Sequence, residues 1–216
     1  MANQETAYGL RPVGLVGAGA NTTGVTKYEI ASNNTHAIYQ YGLVVPTADG
    51  VIDYAGDTAG GTTAALGVLI GVEYVDATSK KPVWKNYWPG SSAVSVDTNY
   101  PIKAFVTDNP MQLYQVATDA SITDRATAVL AIFANASLGT SARGGSTNNG
   151  RSTAALSVSS IATTATLPLK VVGIVDDAAN SDFTAAGIPL LVRINAHYNS
   201  PNARFDSQTT APTTGI

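Results

Sequence analysis

Trp84, Tyr87 and Trp88 lie close together in KKPVWKNYWPG (80–90), a stretch that also holds three of the six lysines in the chain. Aromatic rings supply stacking area and lysines supply mobile cations. The mixture therefore suits a nucleic-acid groove, a sugar platform, a protein interface or a packed strand. With the two-residue period of an extended chain, Trp84, Asn86 and Trp88 share one side and Val83, Lys85 and Tyr87 the other, and Pro89-Gly90 ends the run in a turn. Two aligned tryptophans are predicted. Burial of one or both, against the domain or a sister subunit, is favoured over an exposed sugar platform because of the apolar area each would leave wet.

Other residues capable of chemistry are few and scattered. His36 and His197 are the only histidines, and neither has a second ligand at metal spacing, so both read as ordinary polar or core side chains. Asp176, Asp177 and Asp182 lack the spacing and the closing glutamate of an EF-hand, so they read as a solvated strand-end loop. The glycine-rich GLVGAGANTTG lacks the last glycine of a dinucleotide fingerprint, and no Ser/His/Asp order is recognisable. Cysteine is absent, which removes thiol nucleophiles and thiolate zinc sites. No catalytic, metal-binding or cofactor-binding residues are predicted, and the expectation is a protein that is not an enzyme.

Charge narrows the partners further. The 216 residues carry 12 Lys and Arg against 15 Asp and Glu, a net charge of −3, and only 12% of residues are charged. So sparse a cationic surface cannot supply the counterion release that drives binding to phosphate backbones, so no nucleic-acid partner is expected. The start, MANQETAYGLRPVG, has neither a positive n-region nor an apolar h-region, and no apolar run is long enough to cross a bilayer. A soluble chain with no membrane partner, made in a reducing cytoplasm, is expected.

The elements that must position these residues are mainly β. Residues 1–26 read as an N-terminal arm, with Tyr8, Leu10, Pro12 and Val13 as anchors for a neighbouring subunit. Residues 27–138 form the first part of a β domain, with runs such as HAIYQYGLVVP, VIDYA, LGVLIGVEYV and PIKAFVTD broken at Asp49-Gly50, Gly60-Gly61 and Asp108-Asn109-Pro110. Asp49-Gly50 predicts a hairpin in which the glycine takes positive φ. A helix is predicted over 124–135, capped by Thr123 or Asp124, with Ala126, Val129, Leu130 and Phe133 at helical spacing. Residues 139–153 read as a Gly/Ser/Asn-rich loop, 154–198 as the second part of the β domain, and 199–216 as a C-terminal tail. The expected fold is a β-barrel or β-sandwich built from hairpins, with at most one or two short helices and extended N- and C-terminal arms.

The order Ile38-Tyr39-Gln40-Tyr41-Gly42, Asp49-Gly50-Val51-Ile52, Leu66-Gly67-Val68, Gly71-Val72-Glu73-Tyr74-Val75-Asp76, Tyr87-Trp88-Pro89-Gly90 and Ala104-Phe105-Val106-Thr107-Asp108-Asn109-Pro110 resembles structural proteins of tailed bacteriophages, marine ones in particular. These are proteins encoded near the capsid genes. The similarity spans roughly residues 1 to 198, and its elements are structural patterns rather than catalytic signatures.

What the resemblance implies is a virion protein, first of all a capsid decoration (cement) protein. Such a protein is made in the host bacterial cytoplasm, binds the major capsid protein on the outside of an icosahedral head, and assembles as a homo-oligomer, a trimer being favoured. The interface candidates are then Tyr8, Leu10, Pro12, Val13, Trp84, Tyr87 and Trp88. A phage tail or fibre component, or a carbohydrate-binding host-adhesion module using Trp84, Tyr87 and Trp88, stand as alternatives. The chain departs from a major capsid protein in being short and in lacking a long spine helix.

Overall fold

β-branched and aromatic runs separated by Asp-Gly and Asx-Pro turns fold into antiparallel strands, and the computed structural model describes residues 3, 7–17, 24–55, 65–139 and 144–200. In chain order the strands are β1 (Arg11–Leu15), β2 (Thr26–Ile30), β3 (Leu43–Pro46), β4 (Ile52–Tyr54), β5 (Gly67–Val75), β6 (Pro82–Lys85), β7 (Ile102–Thr107) and β8 (Gln112–Ala117). A short helix, α1 (Arg125–Leu130), precedes β9 (Asn135–Ala136), β10 (Leu169–Ile174) and β11 (Pro189–Ile194). The predicted mainly β class holds: two antiparallel sheets, consistent with a β-sandwich, with α1 as the one α-helix among the described residues.

The first sheet runs β2-β7-β5-β3-β4, with β6 also on β5. β5 is long enough to share one edge between two partners, β3 at Gly67 and Val68 and β6 from Val72 to Val75, while β7 pairs its other edge. The sheet curls until β2 approaches β4. Alternation in β7 sends Ile102, Ala104 and Val106 inward, where they meet Ile38, Val44, Ile52, Leu69, Val72 and Trp88 in one core cluster. Thr47 to Val51 close the β3–β4 hairpin with Gly50 at φ 76°, as Asp49-Gly50 predicts. Asn109 organises the β7–β8 turn: its side-chain oxygen accepts from the Met111 amide at 2.8 Å.

The second sheet runs β1-β8-β11-β10-β9 and so draws strands from residues 1–26, 27–138 and 154–198 together. Leu43 and Val68 of the first sheet join Leu10, Tyr114, Val116, Leu156, Leu190 and Val192 in a second core cluster, which ties the two sheets into one body. Tyr114 is fully buried, with its hydroxyl donating to the Thr107 carbonyl at 3.0 Å.

Two expectations are corrected. The segment 7–15 is no free arm, because β1 completes the open edge of β8 and Leu10 is buried, its amide donating to the Tyr41 carbonyl at 2.8 Å. Tyr8, Leu10, Pro12, Val13, Leu15 and Val16, spread through polar sequence, looked too sparse to order themselves, yet an edge strand needs only backbone pairing and one buried anchor. The helix is shorter than the predicted 124–135, and its buried residues are Ala128 and Ala131, not the Val129–Leu130–Phe133 stripe. Small residues let α1 sit close to β10, and this turns the larger apolar side chains outward. The predicted loop carries no strand or helix among its described residues, but 144–153 form a hydrogen-bonded lobe of it: Ser146 and Arg151 pair, and the Gln40 amide donates to the Gly150 carbonyl at 2.9 Å. The Gly60-Gly61 break, residues 140–143 of the loop and residues 201–216 of the tail lie outside the described residues.

Candidate interaction surface

The two tryptophans point to different sides of the first sheet. β6 ends at Lys85, the backbone bends through Asn86 and Tyr87, and the chain then pairs again where Trp88 and Ile38 exchange backbone hydrogen bonds at 2.8 and 2.9 Å. The bend breaks the two-residue period, so the expected alignment of Trp84 with Trp88 does not occur. Trp88 is 0% exposed, packs edge-on to Tyr74 at 5.8 Å, and donates its indole N–H to the Asn34 carbonyl at 3.2 Å. It belongs to this chain's own core rather than to an interface. Tyr87 is half-buried and stacks on Tyr39 at 5.3 Å.

Trp84 is 63% exposed. Its ring stacks on Phe105 with centroids 4.8 Å apart and planes 26° from parallel. The same alternation that buries Ile102, Ala104 and Val106 puts Phe105 on the outer face, and its cross-strand neighbour on β5 is Gly71, which has no side chain to intervene. The result is an open groove of about 500 Å³ lined by Val25, Ile70, Gly71, Trp84, Lys85, Asn86 and Phe105. Lys27 lies 5.7 Å from the Phe105 centroid and Lys85 lies 5.9 Å from that of Tyr87. Neither lysine has a carboxylate partner among the described residues, whereas Lys103 pairs with Glu73 at 3.7 Å and Lys80 with Asp97 at 3.0 Å. Lys80 and two bonds from Asn99 hold the Asp97 carboxyl below its usual range.

Further apolar side chains stand exposed at the end of α1 and in the turn after it, where Leu130 is 81% and Phe133 75% exposed. Asp124 caps the helix by accepting from the Thr127 amide at 2.7 Å, and this bond holds its carboxyl below the usual range. Arg125 at the helix start pairs with Asp176 at 2.6 Å.

The remaining sequence candidates are dispersed. Pro12 and Val13 sit at a bulge in β1, with Val13 exposed on the sheet edge, and the Arg11 guanidinium lies 5.1 Å from the Tyr8 ring. His36 meets Asp53 at 2.9 Å on the surface, and Asn34 holds the other Asp53 oxygen. His197 is buried, its Nδ1 accepting from the Asn199 amide, and burial lowers its pKa to about 4. Asp177 caps the turn at Ala178–Asn180, Asp182 accepts from Thr184 and Asp176 pairs with Arg125, so the three aspartates serve separate local roles. Among the described residues no three His, Cys, Asp or Glu side chains gather to hold a metal ion.

Sequence reasoning missed Phe105, Val25, Leu130 and Phe133 as surface residues. For Phe105 the signal was present, since IKAFVT alternates cleanly and puts Phe105 with Lys103 opposite the buried positions. Comparison with known proteins yields no matching family model, no matching curated protein and no matching solved structure.

Proposed function

We propose that the protein is a structural component of a virion, a decoration protein that binds the outer surface of an icosahedral head and stabilises the shell. The observation that carries this reading is the placement of large apolar groups outside the fold. Trp84, Phe105, Leu130 and Phe133 line open surfaces of a weakly charged β body, and exposed apolar patches of this kind mark protein contacts. A protein that binds the assembled shell and not its dissociated subunits stabilises the shell by mass action, and an oligomer does so through several contacts at once.

The test mixes the purified full chain with undecorated heads. Co-sedimentation at a fixed stoichiometry and a raised temperature of head disruption are expected, and a protein that stays wholly in the supernatant overturns the reading. Density on the tail of the intact particle would instead select a fibre or tail component. A glycan platform is the weaker reading, because Trp88 is buried while Tyr39 covers one face of Tyr87 and Phe105 one face of Trp84, so the three rings form no shared open platform. Glycan-array binding that disappears in Trp84→Ala would favour it.

A further inference from the structure

We infer that residues 196–200 form an acid-operated clip between the two sheets, which opens when His197 takes up a proton. This does not rest on the virion reading. The segment follows β11 of the second sheet and is held to Ala65, just before β5 of the first: the Ala65 amide donates to the Ala196 carbonyl at 3.0 Å, and the Tyr198 amide donates to the Ala65 carbonyl at 2.9 Å. Asn199 adds a third tie, its side chain donating to the Asp108 carboxylate at 3.2 Å. That carboxylate is itself fixed by the Thr26 and Tyr28 hydroxyls at 2.9 and 2.7 Å.

His197 sits at the centre of the clip. Its ring is buried and its Nδ1 accepts from the Asn199 amide at 3.1 Å, so the neutral ring carries its proton on Nε2, which meets no hydrogen-bond partner among the described residues. A second proton has only Nδ1 to bind. An N–H there faces the N–H of Asn199, so protonation replaces a hydrogen bond by two opposed donors and leaves a cation in a buried site. Asp108 is the charged group whose field reaches the ring, and it favours the cation, but burial outweighs it. Tyr28, bonded to the same carboxylate, has its pKa raised, by burial first, and stays neutral in acid.

Opening lets the imidazolium reach water. It stops at Asn195, whose amide donates to the Pro168 carbonyl at 2.7 Å and whose side chain donates to the Ala165 and Leu167 carbonyls at 3.0 and 3.1 Å. The closed clip keeps His197 neutral down to about 4 and the open one protonates near 6.5, so acid favours the open form and loosens this junction of the sheets.

Native-state hydrogen exchange of the full chain tests this at the Ala65 and Tyr198 amides, with the amides bonded between β8 and β11 as the reference for global unfolding. The opening constant of the two clip amides is expected to rise about fiftyfold from about pH 7 to about pH 4.5. At each pH it is expected to exceed that of the reference amides and to respond less to added urea, since a local opening exposes little surface. In His197→Asn, whose side-chain oxygen can accept the same amide but does not titrate, the rise is expected to vanish. Should that variant lose its fold, His197→Gln repeats the comparison.

Clip amides that share the opening constant and urea dependence of the reference amides overturn the inference, because the segment then opens only with the whole protein. An opening constant that does not change with pH overturns it as well, as does a rise that persists undiminished in the folded variant.

Discussion

The indole of Trp88 reaches the carbonyl of Asn34 across the core of the first sheet, at 3.2 Å, while the same carbonyl also accepts from the Ser91 amide at 2.8 Å. A single tryptophan thus pins two loops, 31–36 and 88–91, to the strands beneath them. Trp88→Ala should lower the unfolding free energy by about 3–5 kcal/mol through lost burial and the cavity it leaves. Trp84→Ala, on the solvent side of the same strand region, should change it by no more than about 0.5 kcal/mol. Urea denaturation of the two variants separates a core tryptophan from a surface one; equal effects would contradict the assignment.

This contrast also shows how far the sequence could be read. The alternation in LGVLIGVEYV and PIKAFVTD identifies strands and their buried faces because both edges of β5 and β7 are paired, and pairing enforces the two-residue period. Around Trp84 and Trp88 the period fails, because the bend at Asn86 and Tyr87 depends on a partner 46 residues away, Gln40, and on the lobe at Asn149, whose carbonyl accepts from the Asn86 amide group at 2.6 Å. Long-range contacts of this kind leave no local periodicity. The groove was half legible for the same reason: Phe105 and Trp84 each follow from their own strand, but their stacking requires knowing that β7 and β6 flank β5 where Gly71 stands opposite Phe105.

Gly145 lies against the face of Tyr39, and a Cβ at this position would overlap the ring. Tyr39 in turn stacks on Tyr87. Gly145→Ala should therefore destabilise the protein by about 1–3 kcal/mol, as overpacking does. Gly173→Ala is the control, since its Cβ would meet nothing closer than Leu191 at 3.8 Å. A thermal midpoint that falls for the first and holds for the second is expected.

His197 makes stability depend on pH. Burial holds its folded pKa at about 4, although the nearby Asp108 carboxylate acts in the other direction, and the unfolded chain protonates near the ordinary value of 6.5. Between these values the unfolded state binds a proton that the folded state does not, so stability rises with pH across the window. The contribution is fully present above the unfolded pKa and is lost as pH falls towards about 4, a change of about 3 kcal/mol at most. Urea midpoints at about pH 7 and about pH 4.5 should differ in the unaltered chain and differ less in His197→Leu.

Asp124 tests whether α1 is held by its cap. The helix is only six residues long, too short to persist by propensity, and the Asp124 carboxylate satisfies the Thr127 amide. Asp124→Ala should cost about 1 kcal/mol, and Asp124→Ser should recover most of it. Because Leu130 ends this helix and Phe133 follows in the next turn, faster amide exchange over residues 125–133 in the alanine variant is the accompanying readout.

The N-terminal segment distinguishes a strand from an arm. Were residues 1–15 a free arm, their removal would leave the β body intact. In the structure, β1 pairs along β8 from Arg11 to Leu15, the Arg11 guanidinium donates to the Gln115 side-chain oxygen at 2.7 Å, and the Gly9 amide donates to the Ala154 carbonyl at 3.0 Å. Leu10 fills the core between Tyr41 and the second sheet with no exposed surface. Deleting residues 1–15 should therefore expose the edge of β8, open the core and promote aggregation, since an unpaired strand edge beside an apolar cavity is a template for other chains. Leu10→Ala alone should cost about 2–5 kcal/mol, whereas Val13→Ala, at the exposed bulge, should cost less than about 1 kcal/mol. A truncated protein that unfolds with the same midpoint as the full chain would refute the pairing of β1 with β8 and restore the segment to the role of a free arm.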